Sequence, residues 1–196
     1  MNKYKIIAIC GKSAAGKDTL LQYMKNLKGT HEIISCTTRP EREGEIDGVN
    51  YHFRSPGEFL RLELEGQMLE TSDFREWHYG TPLWSLKKSA INIGVFNPKG
   101  IESLMEDKRV ELYVVQVIAS DKTRLLRSLH REKNPNVDEI VRRYMTDKKD
   151  FEDFSTFYEP DFIVENEGQG IDPKKAGAIG ERILDEARRA WANPVN

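Results

Sequence analysis

The stretch Gly11-Lys12-Ser13-Ala14-Ala15-Gly16-Lys17 constrains this chain more than any other. It has G-x-x-x-x-G-K spacing, and its flanks supply the context that such a loop needs. Tyr4 to Cys10 is a short β-branched run closed by a glycine, which predicts a buried strand. Lys17 to Lys25 then sets Leu20, Leu21 and Met24 on one face of a predicted helix. Between them, Gly11 and Gly16 let the backbone curl until successive N–H groups point inward at an anion. The dipole of the following helix adds positive potential at the same spot. Lys17 brings a point charge suited to β- and γ-phosphates. Gly11 to Thr19 is therefore the expected phosphate-binding segment, with Gly11, Lys12, Ser13, Ala14, Ala15, Gly16, Lys17, Asp18 and Thr19 as its members. After the lysine the pattern normally has a hydroxyl residue that meets Mg²⁺; here Asp18 stands there, with Thr19 behind it. A carboxylate is a good oxygen ligand for Mg²⁺, so Asp18 is the candidate metal residue, directly or through a water.

The rest of the chain repeats the alternation of strand and helix. His31 to Cys36, Ala90 to Phe96, Leu112 to Ala119 and Phe162 to Val164 read as further strands. Gly57 to Glu65, Asp121 to Lys133, Val137 to Phe151 and Lys174 to Ala190 read as helices. Between Thr37 and Trp84 the character changes: glycines at 44, 48, 57, 66 and 80 punctuate short strand-like pieces such as Val49 to Phe53, the mark of an inserted lobe. Alternating strands and helices imply a parallel sheet covered on both faces.

Composition narrows the partners. The 196 residues suit one domain. Thirty Lys and Arg against 32 Asp and Glu leave a net charge of −2, which argues against general nucleic-acid or membrane-surface binding. Phosphate binding must then be local, from a few placed cations. Two cysteines, Cys10 and Cys36, make no disulfide framework, and a reducing cytoplasm is the expected setting. The apolar run Ile6 to Cys10 is too short for a signal peptide or a membrane span. The four histidines are scattered, and Trp77, Trp84 and Trp191 are expected to pack.

The stretch after the second strand is more specific: Ser35-Cys36-Thr37-Thr38-Arg39-Pro40-Glu41-Arg42-Glu43-Gly44-Glu45-Ile46-Asp47-Gly48-Val49-Asn50-Tyr51-His52-Phe53. Two arginines three apart, with a tyrosine nine residues on, offer guanidinium forks and a phenol to a phosphate. In order, the run closely resembles the S-x-T-T-R-x-x-R-x-G-E-x-[DN]-G-x-x-Y-x-F signature of guanylate kinases. Glu70, followed at a distance by Tyr79-Gly80-Thr81, resembles that family's E-W…Y-G-[ST] segment. The likeness runs in register over most of residues 4–85 and loosens beyond.

The resemblance implies a P-loop three-layer α/β fold with a parallel core sheet, an inserted NMP-binding lobe at 37–85 and a helical lid at 121–150. The core would then comprise 1–36, 86–120 and 151–196. It also implies transfer of the ATP γ-phosphoryl group to GMP or dGMP with Mg²⁺, in a cytoplasmic monomer or homodimer whose partners are small nucleotides. By the same resemblance, Arg39, Arg42, Tyr51 and Tyr79 hold the acceptor's phosphate, while Ser35, Glu70 and Thr81 contact guanine. The chemistry is consistent: one carboxylate can accept both the N1–H and N2–H₂ of guanine, and Thr81 can donate to O6. Adenine would leave a buried Glu70 facing a lone pair.

In the second half, the resemblance makes Arg127, Arg131 and Arg143 the lid cations that join Lys17 and Arg39 in catalysis, with Arg124 and Arg142 less favoured. Asn166 falls where the family contacts the donor. Where guanylate kinases carry an acidic pair, this chain has Val95 and Asn97, so weaker discrimination for guanine is expected. Two other readings follow from the same residues: a broad, viral-type deoxynucleoside monophosphate kinase, and a non-catalytic binding module of guanylate-kinase type. The intact Lys17 loop speaks against the module.

Overall fold

The computed structural model describes every residue except 1, 2, 43, 75, 132, 169 and 194–196, and the side chains of 74, 157, 173 and 174 are also left aside. Glu43 of the arginine-rich run and the first two residues thus lie outside the described part.

Nine strands and six helices are found among the described residues. In chain order they are β1 (Tyr4–Cys10), α1 (Lys17–Met24), β2 (Thr30–Glu32), β3 (Cys36–Thr37), β4 (His52–Phe53), α2 (Pro56–Leu64), β5 (Met68–Phe74), β6 (Trp77–Pro82), β7 (Ile91–Val95), α3 (Pro98–Glu106), β8 (Val110–Ile118), α4 (Asp121–His130), α5 (Val137–Phe157), β9 (Phe162–Glu165) and α6 (Pro173–Ala192). Five of the strands form a parallel sheet in the order β2-β7-β1-β8-β9. This is the parallel core expected from the alternation. β1 is its middle strand, so the glycine-lysine loop emerges at the carboxyl end of the sheet, where α/β proteins place ligands.

The period-two alternation of β1 divides the core. Ile7 and Ile9 pack with Leu20 and Met24 of α1 and with Ile183 and Leu184 of α6. Ile6, Ala8 and Cys10 point to the other face, against Ile101 and Leu104 of α3 and Phe151 and Phe154 of α5. Trp191 packs against this frame by an edge contact with Tyr113 at 6.3 Å. A second sheet, β4-β3-β6-β5, stands apart and is mixed, with β3 and β4 parallel and β6 antiparallel to both β3 and β5. Its own small core is Cys36, Phe59, Leu62 and Met68.

Four differences separate the structure from the sequence pattern, three of them with a local cause. The run His31 to Cys36 is not one strand. It leaves the parallel sheet after Ile33, whose N–H still reaches the Ile93 carbonyl at 2.8 Å, and enters the second sheet at β3. Val49 to Phe53 is strand only at its last two residues, because Gly48 takes a φ of +76° and Asn50 folds back to accept from the Ile46 N–H at 2.9 Å. The helix α3 escaped notice because Pro98 and Gly100 lie in its first turn. Asn97 caps it, accepting from the Gly100 N–H at 2.7 Å, with Pro98 at the position where a missing N–H costs nothing. Finally, α4 stops at His130, and α5 runs on to residue 157. No described helix is long and apolar enough to cross a membrane.

Candidate active site

A cleft of about 1030 Å³ opens between the carboxyl end of the parallel sheet, the second sheet and the α4–α5 pair. Its floor is the loop between β1 and α1. Gly11 and Gly16 adopt φ of +145° and +106°, and neither tolerates a side chain. A Cβ on Gly11 would collide with the Val117 carbonyl, and one on Gly16 with the Asn166 amide. Between them Ala14 holds a left-handed φ of +60°, a conformation uncommon for a residue with a Cβ. The first-turn amides of α1 have no side-chain cap from Gly16, so they are available to an anion. Lys17 lies in the cleft with its Nζ donating to the Lys12 carbonyl at 3.2 Å. Burial lowers its pKa, while the carboxylates of Asp18 and Asp147 work in the opposite direction. Ser13, Ala14, Lys17 and Asp18 line the cleft, whereas Thr19 is exposed on α1 outside its walls.

The wall on the second-sheet side brings Ser35, Arg39, Arg42, Tyr51 and Tyr79 together. Arg39 is only 4% exposed. It donates to Glu45 Oε1 at 2.8 Å and lies 5.4 Å from the Tyr51 ring and 5.6 Å from the Phe53 ring. Burial opposes its charge, but the hydrogen bond and charge of Glu45 prevail, and its pKa is raised. Glu45 also accepts the Arg42 N–H at 2.8 Å, so one carboxylate sets the positions of both arginines. Nothing in the sequence singles out Glu45 beyond its place in the arginine-rich run. Tyr51 meets Tyr79 edge-on at 6.0 Å, and burial raises the Tyr51 pKa, keeping its hydroxyl a donor.

Glu70 and Thr81 sit behind this wall. Both are buried, on neighbouring strands β5 and β6, and neither is among the residues lining the cleft. Thr81 Oγ1 donates to Glu70 Oε1 at 2.7 Å, so its proton is directed at the carboxylate. Burial pushes the Glu70 pKa up to about 7, against the pull of the Thr81 hydrogen bonds. Of the two residues in place of an acidic pair, Val95 faces the cleft and Asn97 is engaged twice, capping α3 and donating to Ser72 Oγ at 3.1 Å.

The α4–α5 wall sorts its arginines by partner. Arg131 and Arg143 line the cleft, and Arg143 pairs with Glu139 at 2.7 Å. Arg127 does not line it. Its guanidinium reaches under the loop to the carbonyls of Ala14 at 3.2 Å and Asn166 at 2.9 Å. Asn166 is buried there as well, donating to the Ala15 carbonyl at 2.6 Å. These two brace the loop from behind. Two residues that the sequence reading set aside or missed stand on the cleft side instead. Arg124 is 2% exposed and donates to the Ser13 carbonyl at 3.2 Å, and Asp147 of α5 accepts the Ser13 N–H at 2.6 Å. Three-residue spacing put Arg124 and Arg127 on one helical face, but only packing separates their roles.

Among the described residues, no group of three or more His, Cys, Asp or Glu could hold a metal ion by itself. Asp18 and Asp147 both line the cleft and act on Lys17, and either carboxylate could share a cation with a phosphate there. That donor set fits Mg²⁺, which is usually held through one or two carboxylates, substrate phosphates and water.

Comparison with known proteins supplies the family and the fold. A family model described as "Guanylate kinase" matches residues 3–170. The guanylate kinase of Desulfitobacterium hafniense (strain Y51) is 30% identical over 167 residues, covering 83% of this chain and 82% of that protein. That of Streptococcus agalactiae serotype III (strain NEM316) is 44% identical over 81 residues, 40% of this chain and 38% of its own length. A crystal structure of guanylate kinase from Anaplasma phagocytophilum superposes with a TM-score of 0.61 at 20% identity, over 98% of this chain and 89% of that one, a likeness of fold.

Proposed function

Because the chain belongs to the guanylate kinase family, we propose that its cleft transfers the γ-phosphoryl group of ATP to GMP or dGMP. An oxygen of the acceptor's phosphate forms the new P–O bond. The bond from Pγ to the bridging oxygen breaks, and its electron pair leaves with ADP. The attacking oxygen is already ionised near pH 7, so no general base is needed. Positioning and charge neutralisation are then the whole task.

The observation that carries this reading is the facing of two cation sets across one cleft: the glycine-lysine loop, and the Arg39–Arg42–Tyr51–Tyr79 group. The loop amides and Lys17 hold the donor's phosphates, and the arginines and phenols hold the acceptor's. In-line attack needs both phosphates in one space. Ser35, Glu70 and Thr81 read the guanine, with Glu70 accepting from the base as an anion. Thr81 must turn its hydroxyl away from Glu70 to donate to O6. Asp18 would hold Mg²⁺, which would supply neutralisation of the donor's phosphate charge.

We take residues 37–85 as the acceptor lobe and 121–150 as the lid. Within the lid, Arg131 and Arg143 are the cations placed to reach the transferring group, while Arg127 and Asn166 support the loop. Closure of lobe and lid over the nucleotides would exclude water, whose attack on ATP is the competing loss. The pool of nucleotides and two free, buried cysteines suit a cytoplasmic setting. Steady-state ADP formation with GMP as acceptor, compared between the protein and its Lys17→Ala variant, tests the reading.

A further inference from the structure

Ser13 is the third residue of the phosphate loop and lines the cleft, yet its N–H is already taken by an anion. Asp147, from the middle of α5 and 134 residues away in sequence, accepts that N–H through Oδ2 at 2.6 Å, and its Oδ1 accepts the Ser13 hydroxyl at 3.2 Å. Arg124 completes the arrangement. It bonds Asp147 Oδ2 at 3.3 Å, the Ser13 carbonyl at 3.2 Å and Asp121 at 2.8 Å, and its guanidinium carbon lies 5.4 Å from the Tyr144 ring. A carboxylate with two oxygens on a loop amide, a loop hydroxyl and a guanidinium has the partners that a terminal phosphate oxygen pair would take. Both Asp147 and Arg124 face the cleft that holds Lys17.

We propose that Asp147 is an internal competitor of the donor nucleotide. In the resting protein it occupies the Ser13 amide and hydroxyl. When ATP enters, a phosphate oxygen replaces the carboxylate on Ser13 and on Arg124, and α5 is released from the loop. Two anions cannot share one N–H, and phosphate charge brought beside an unscreened carboxylate in the cleft is repelled. Arg124 changes partner without losing an anion, since Asp121 stays with it. The exchange links donor binding to the freedom of the helix that also carries Arg143, one turn from Asp147. This inference rests on the assignment of the loop to ATP.

Isothermal titration of ATP, with and without Mg²⁺, into the full-length protein and its Asp147→Ala, Asp147→Asn, Asp150→Asn and Lys17→Ala variants tests it. Asp147→Asn keeps a carbonyl acceptor for Ser13 and serves if the alanine variant melts early. Asp150 is exposed on the same helix and makes a control for charge alone. ATP is expected to bind about tenfold more tightly to both Asp147 variants. KM for ATP should fall alongside while KM for GMP stays within twofold, and Asp150→Asn should match the unaltered protein. Unchanged or weaker ATP binding in the Asp147 variants overturns the proposal, including weakening confined to Mg²⁺, which makes Asp147 part of the metal's shell. Equal tightening by Asp150→Asn overturns it too, in favour of general electrostatics. Failure of Lys17→Ala to weaken ATP binding strikes the loop assignment itself, a separate result.

Discussion

The two walls of the cleft are built on different principles. On the second-sheet side, Arg39, Arg42, Glu45 and Tyr51 come from one short stretch and are fixed by local contacts, chiefly the two-sided hold of Glu45 on Arg39 and on the Arg42 N–H. Their order in sequence is their order in space. On the α4–α5 side, four arginines sit on two helices and Arg131 follows the end of α4, and their partners, along the helices and across to the loop, decide what each can do. Arg127 is spent on the loop carbonyls, Arg124 is shared among Ser13, Asp147 and Asp121 on the cleft side, Arg142 and Arg143 share Glu139, and Arg131 is exposed at the cleft. A motif made of turns and short strands carries its geometry with it, whereas a charged helix does not.

Substitutions should separate the walls by size and kind of effect. Lys17→Ala removes the cation of the loop between them and is expected to lower kcat/KM by about 10³-fold, measured by coupled ADP formation. Arg39→Ala is expected to cost about 10²-fold in kcat/KM for GMP, nearly all of it in KM, because it also strips Glu45 of its ion-pair partner beside the proposed acceptor-phosphate site. On the opposite wall, Arg127→Ala should act through stability, costing about 2 kcal/mol in denaturant titration as charged hydrogen bonds to the loop carbonyls are lost. Arg131→Ala should leave the melting curve unmoved and lower kcat. A stability loss from Arg131→Ala, or none from Arg127→Ala, would erase the contrast.

Glu70 adds a dependence on pH. Its pKa of about 7 lies above the ordinary 4.5, so the folded protein holds a proton that the unfolded chain has lost over that interval. Its contribution to stability therefore falls as pH rises from about 4.5 to about 7, and Glu70→Gln should remove that slope. If Glu70 reads guanine as proposed, the base needs the ionised carboxylate, so GMP affinity should climb as pH passes through about 7, with net proton release on binding below it. Glu70→Gln should flatten that climb and reduce the preference for GMP over AMP by about tenfold. The smallest expected effect is at Asn97. Asn97→Asp keeps the cap on α3 and should raise guanine preference by about threefold, read in an acceptor competition assay.

What the sequence disclosed follows the same division. The β1 run, the glycine spacing and the α1 face specify the loop because backbone conformation there depends on residues within one turn. The central parallel sheet was legible for the same local reason, through β-branched runs separated by helical patterns. The switch of the chain from β2 to β3 was hidden, since Ile33 to Cys36 is equally apolar whichever sheet receives it. The capped start of α3 was hidden behind Pro98 and Gly100. Arg127 and Asn166 match positions where the resemblance implies contact with a nucleotide, yet they lie beneath the loop, where depth in the fold, unseen in a one-dimensional pattern, sets their role. Asp147 gave no signal in sequence, being one acid among several on a charged helix.

The choice of acceptor defines the proposed reaction. ADP formation from Mg·ATP, with GMP, dGMP, AMP, dTMP and CMP supplied separately and Lys17→Ala as control, measures it directly. Turnover led by GMP and dGMP and lost in the variant is the expected result. Comparable turnover across all five acceptors, or none with GMP while GMP still binds, would contradict it.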